Sequence, residues 1–272
     1  MRNIIVPLFI LLLASCQKND SPVENNGPDE DENLFFIEIL NEYSLVNQIF
    51  QDTGNITIDG IASAEGTITG KFNSTKTDPV ISIEPLDLET FPKTITIDFG
   101  TGTLCEDGVT RRGIITVEST GLYSEVGSLH TVVFNNFFHD NFKVEGTQYV
   151  ENFGENDDNQ LVYSVVVEDG IVTVTNDIFI RFFQSTFRTW IAGSETPLNI
   201  WDDEYLIEGD QLGLSSNGVN FSTFIEEPLH LVVLPREIKS GIIDLEIGSV
   251  PNIKINYTNE TFTILGKTTS FN

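Results

Sequence analysis

From Asn55 onward the chain alternates apolar and polar residues with a period of two, and this pattern limits its possible folds more than any motif does. In Lys93-Thr94-Ile95-Thr96-Ile97-Asp98-Phe99, the residues Ile95, Ile97 and Phe99 share one face while Thr94, Thr96 and Asp98 share the other. A half-buried strand requires this, because successive side chains on a strand point to opposite faces. Similar runs occur over 113–118, 129–138, 161–168 and 242–247. Asp169-Gly170 and Asn217-Gly218 each stand between such runs, and both pairs favour the positive φ of a type I′ hairpin. Roughly a dozen strands follow, without alternating helices. The fold class is therefore all-β, with antiparallel sheets arranged as a sandwich or an elongated meander.

One helix precedes the strands. Phe36, Leu40, Tyr43, Val46 and Phe50 recur at spacings of three and four, acids between Asp29 and Glu32 supply negative charge before the first turn, and Gly54 is a natural stop. The spacing predicts a short amphipathic helix over 34–52, packed on the sheet.

The first residues carry Arg2, an apolar run from Ile4 to Leu13, and small residues Ala14 and Ser15 before Cys16. That order is a signal peptide. Its apolar run falls short of the roughly 18 to 20 residues that a spanning helix needs. Leu13-Ala14-Ser15-Cys16 resembles the lipobox of bacterial lipoproteins, which implies cleavage before Cys16 and a diacylglycerol on its thiol. Gln17-Lys18-Asn19-Asp20 resembles the signal that sends Bacteroidota lipoproteins to the outer face of the outer membrane, with Asn19 where an acid is usual. Residues 21–33 read SPVENNGPDEDEN, too polar to bury a core, and form an acidic tether. The expected organisation is a signal peptide over 1–15, a lipid-anchored tether over 16–33, the helix and first strands over 34–90, and the main β domain over 91–272.

Composition narrows the partners. The chain has 14 basic and 41 acidic side chains, a net charge of −27, so it lacks the Lys and Arg clusters that phosphate backbones require, and nucleic acid is excluded. With Cys16 acylated, Cys105 is the remaining cysteine and no intramolecular disulfide is expected.

At 92–113, Pro92-Lys93-Thr94-Ile95-Thr96-Ile97-Asp98-Phe99-Gly100-Thr101-Gly102 is followed by Cys105, Asp107-Gly108 and Thr110-Arg111-Arg112-Gly113. Gly121-Leu122-Tyr123, Lys143-Val144-Glu145-Gly146-Thr147 and Arg188-Thr189-Trp190 come later in the same order. This series resembles a family of uncharacterised Bacteroidota surface lipoproteins. The resemblance implies a secreted or surface β protein and carries no activity. Relatives tend to have another cysteine before the Pro-Lys-Thr strand; here Asp78-Pro79-Val80-Ile81 has none, so a family disulfide involving Cys105 is lost.

No motif carries catalysis. Gly100-Thr101-Gly102 lacks the third glycine and the helix of a dinucleotide loop, so no cofactor is expected. His130, His139 and His230 show no zinc-ligand spacing, and no metal site is assigned. His139-Asp140 reads as a solvated loop pair. Among the acids, Asp157-Asp158 and Asp202-Asp203-Glu204 fall in expected loops, without sign of the buried pair that glycoside hydrolysis needs. Tryptophan beside acids and amides stacks on sugar rings and bonds their hydroxyls. Trp201 and Trp190 are therefore the candidate ligand-binding residues, while most of Phe134, Phe137, Phe138, Phe142, Phe182, Phe183 and Phe187 belong to the core. The expected role is a non-enzymatic surface module at the outer membrane, facing the exterior and binding a glycan or an envelope protein. The alternative is a hydrolase acting on an external polymer through a carboxylate pair.

Overall fold

A computed structural model describes residues 30–70, 79–175, 178–196 and 199–270. The expected signal peptide, Cys16 and most of the expected tether lie outside these residues.

The chain forms one helix and one antiparallel sheet. Helix α1 spans Glu30–Ile68, 39 residues, about 58 Å at 1.5 Å per residue. Its first half is amphipathic as expected: Phe36, Ile39, Leu40, Tyr43, Val46 and Phe50 are buried, while Leu34, Glu38, Asn41 and Ser44 face solvent. Burying side chains such as Ile39, Val46 and Ile49 contributes about 1.5–3 kcal/mol each.

The expected stop at Gly54 is corrected, because the helix continues through Gly54 and Gly60 to Ile68. Both glycines mark close approach to the sheet. A Cβ at Gly54 would lie 3.3 Å from Gln148 Nε2, and one at Gly60 would overlap the Ile97 side chain. Ile56-Thr57-Ile58-Asp59 imitates strand alternation. These residues are helical nonetheless, and from Asp52 to Ala64 nearly every position is buried.

The strands are β1 Val80–Glu84, β2 Lys93–Asp98, β3 Thr103–Leu104, β4 Thr110–Ser119, β5 Leu129–His139, β6 Phe142–Glu155 and β7 Leu161–Thr175. They continue as β8 Ile178–Ala192, β9 Glu204–Leu214, β10 Asn220–Val232, β11 Glu237–Ile247, β12 Val250–Asn256, β13 Thr261–Ile264 and β14 Lys267–Ser270. All belong to one sheet in which each strand pairs with its neighbours in sequence, except that β4 pairs with β2 and β3 branches from β4. The meander reading holds and the sandwich does not. Since β1 pairs with β2, position 90 falls within one sheet.

The sheet curls around the helix. Gly60 meets Ile97 of β2, Asp52 bonds His139 of β5, Phe50 stacks on Phe182 of β8, and Tyr43 donates to Gln211 of β9. One helix thus touches strands from the second to the ninth. Arg236, in the β10–β11 turn, lies 3.7 Å from Asp107 in the β3–β4 turn. Turns far apart in strand order therefore meet.

Both Gly-containing turns are corrected, the first in kind and the second in type. Asp169-Gly170 is no hairpin: β7 runs through it with a bulge, Asp169 at φ 51 and the register shifting between Val167 and Gly170. Gly170 is there for space, since a Cβ would lie 2.6 Å from Phe182 O and 3.0 Å from Phe50 Cζ. Asn217-Gly218 does join β9 to β10, but only Gly218 has positive φ, so the turn is not type I′.

The interior is divided. One apolar cluster includes Phe50, Ile97, Phe182 and Phe221; the other includes Ile58, Tyr163, Trp190 and Ile225. Between them along the strands lie buried Gln148, Gln184, Gln211 and Thr223. The helix meets this polar belt: Asn47 Oδ1 accepts from Gln211 Nε2 at 2.8 Å, and Tyr43 OH donates to Gln211 Oε1 at 3.0 Å. Buried amides need such partners, since an unpaired one costs about 1–3 kcal/mol.

Candidate functional site

Strict alternation on β8 turns Phe179, Arg181, Phe183, Ser185 and Phe187 outward. Register then assembles a site. Phe183 faces Leu212 of β9, Leu212 faces Ser222 of β10, and Asp210 lies between Ser185 and Phe224. These residues line an outward groove of about 590 Å³, with Asp244, Glu246 and Asn252 from β11 and β12 along its far side. Phe183, Leu212 and Phe224 are 36%, 50% and 55% exposed. Phe187 continues the apolar row and meets Phe153 of β6 edge-on, with ring centroids 5.6 Å apart. Apolar surface flanked by hydroxyl, amide and carboxylate groups suits a ligand with one apolar face and a polar rim.

The tryptophans are placed differently from each other. Trp190 is 9% exposed, packs in the second apolar cluster and donates from Nε1 to Asp203 Oδ1 at 3.1 Å. This candidate ligand-binding residue therefore stands in the core, its ring enclosed. Trp201 lies in a single 3-10 turn, Ile200–Asp202, half-buried against both clusters. Neither ring lines the outward groove. Cys16 is outside the described residues. Phe183 and Phe187, from a set expected mostly in the core, are exposed, as is Phe224.

Two buried charged groupings tie the helix to the sheet. In the first, Arg111 grips Asp107 through Nη1 at 2.8 Å and Nη2 at 2.5 Å, and Arg236 Nε meets Asp52 at 2.8 Å. Asp52 also bonds His139 Nε2 at 3.1 Å, so His139 is a buried helix partner and not a solvated loop residue. Burial opposes ionisation of Asp107, yet the Arg111 fork overcomes it and holds the carboxyl below its usual range. Nearby, burial raises the Cys105 thiol pKa, which disfavours the nucleophilic thiolate.

In the second, Glu65 accepts from Tyr123 N at 2.7 Å, and Asp203 accepts from Trp190 and from Tyr205 OH at 2.8 Å. Burial pushes Glu65 and Asp203 each up to about 7. A carboxyl with a raised pKa is a mark of acid catalysis when it lines a cleft. Here both carboxyls are engaged by protein donors, and neither lines the outward groove. His130 sits between Ser119 Oγ and Ser128 Oγ, and burial pushes it down to about 4. His230 pairs with Glu204 at the surface. Among the described residues, no three His, Cys, Asp or Glu side chains are arranged to hold a metal ion.

No family model, curated protein or solved structure matches this chain.

Proposed function

We propose that this chain is a lipid-anchored envelope protein whose outward sheet face binds a glycan of predominantly neutral sugars. The carrying observation is the groove between Phe183, Leu212 and Phe224, where ring faces stand beside Ser185, Ser222, Asp210 and Asn252. Pyranose rings present apolar C–H faces to aromatic rings and hydroxyls to carboxylates and amides. Asp210, Asp244 and Glu246, on a chain of net charge −27, repel polyanions from the same groove. The signal segment and Cys16 supply the address, with the acidic tether holding the domain away from lipid.

The way the carboxyls are used supports a non-enzymatic role. Glu65 and Asp203, the two raised acids, are bonded inside the protein and away from the groove. The test is to present the detergent-solubilised full-length protein to an array of neutral, amino and uronate-rich polysaccharides. Retention on a neutral polymer without its hydrolysis is the expected result. Release of oligosaccharides would establish the hydrolase, and failure to bind any neutral polymer would redirect the search to a protein partner.

A further inference from the structure

A second groove, of about 560 Å³, lies where the β2–β3 turn meets the β5–β6 turn, and its lining differs in kind from that of the first. Arg112, Thr101, Thr110 and Asn141, each with side-chain donors, are among its lining residues. Arg112 is exposed, and its guanidinium lies over the Phe138 ring, 3.7 Å from the centroid. That stack fixes the plane of the fork while leaving its N–H edge open. Among the described residues no carboxylate pairs with Arg112, whereas Arg111 and Arg236 are spent on Asp107 and Asp52. The acid in the groove, Asp140, has its Oδ1 bonded to Thr110 N at 3.0 Å, while its own N–H donates to Thr110 O at 2.8 Å. The groove is thus rich in donors, with a cation that no carboxylate among the described residues pairs, on a chain of net charge −27.

We infer that this groove binds a single carboxylate-bearing sugar, a uronate unit, through the Arg112 fork. Carboxylate geometry matches the guanidinium in two parallel N–H···O bonds. Thr101, Thr110 and Asn141 are placed for the sugar hydroxyls, and half-buried Phe142 gives the ring an apolar side. A uronate at a branch or chain end of a mostly neutral glycan meets this site without bringing a polyanion across the acidic surface. The inference does not depend on the groove at Phe183 and Phe224.

The experiment is titration of the detergent-solubilised full-length protein with sodium glucuronate, glucose and inorganic phosphate, read by ligand-observed NMR. Glucuronate is expected to bind at least about 10-fold tighter than glucose, the order of one charge-assisted bidentate contact. In Arg112→Gln that advantage disappears, and in Arg112→Lys, which keeps the charge and loses the fork, it shrinks. Arg181→Gln, removing an arginine stacked on Phe179 outside the groove, leaves glucuronate binding unchanged. Equal binding of glucuronate and glucose, full binding by Arg112→Gln, or phosphate binding as tight as glucuronate would each overturn the assignment.

Discussion

Gly60 of the helix and Ile97 of β2 touch so closely that a Cβ on Gly60 would fall 2.2 Å from Ile97 Cδ1. Gly60→Ala therefore sets two effects against each other. Helix propensity favours alanine by about 1 kcal/mol, while overpacking a filled core costs about 1–3 kcal/mol. With Ile97 fully buried, overpacking wins, and urea denaturation is expected to show a less stable variant. Adding Ile97→Val, which removes the overlapping methyl, restores part of the loss. A Gly60→Ala protein as stable as the wild type would mean that the helix is not held this tightly.

The Asp107–Arg111 pair closes the β3–β4 turn with Arg111 fully buried. Asp107→Asn keeps the shape and removes the charge, leaving a guanidinium without compensation in the interior. The expected cost is about 3–5 kcal/mol in denaturant midpoint analysis. Lys143→Gln, at the exposed pair with Glu145, is expected to cost about 0–1 kcal/mol. Equal effects would show that the turn is solvated.

Glu65 and Asp203 make stability depend on pH in an unusual direction. Their folded pKa values, each pushed up to about 7, exceed the unfolded values of 4.5 and 3.8, so the folded protein holds more protons across that interval. Their contribution is fully present below about pH 4 and is lost as pH rises through 7. His130, pushed down to about 4, works the other way between about 4 and 6.5. Wild type must therefore be compared with Glu65→Gln and Asp203→Asn. Each variant is expected to lose less stability than wild type between pH 5 and pH 8, and parallel melting curves would contradict the protonated state of that carboxyl.

Much of the sheet was legible because pairing follows sequence order and one face of most strands is apolar. Ile95, Ile97 and Phe99 are buried as their alternation requires. The helix beyond Gly54 was not legible, because a segment enclosed on nearly every side shows no polar stripe and Ile56 and Ile58 alternate with Thr57 and Asp59. β8 hid the site for a different reason. Its inward positions include Gln184, Thr186 and Arg188, satisfied by Gln211, Val165 O and Asn55, while its outward positions include three phenylalanines. Hydrophobicity alone assigns that strand the wrong way round.

The address is tested at Cys16. Cys16→Ala is expected to abolish incorporation of labelled fatty acid and to release the protein from the membrane fraction, since stable anchoring depends on the acyl chains. A variant that stays with the membrane after salt and carbonate washes would place the attachment elsewhere.

The most direct test of the account is one binding isotherm on the best-retained neutral polysaccharide, comparing wild type, Phe183→Ser/Phe224→Ser and Trp201→Ala. Both phenylalanines are exposed, so the double variant is expected to keep its melting temperature. It should lose at least about 10-fold in affinity, the equivalent of about 1.4 kcal/mol of lost stacking. Trp201→Ala is expected to melt earlier, because the ring packs on both apolar clusters, and to bind normally once folded. Undiminished binding by the double serine variant, or binding abolished in folded Trp201→Ala, would contradict a site on the outward face of β8, β9 and β10.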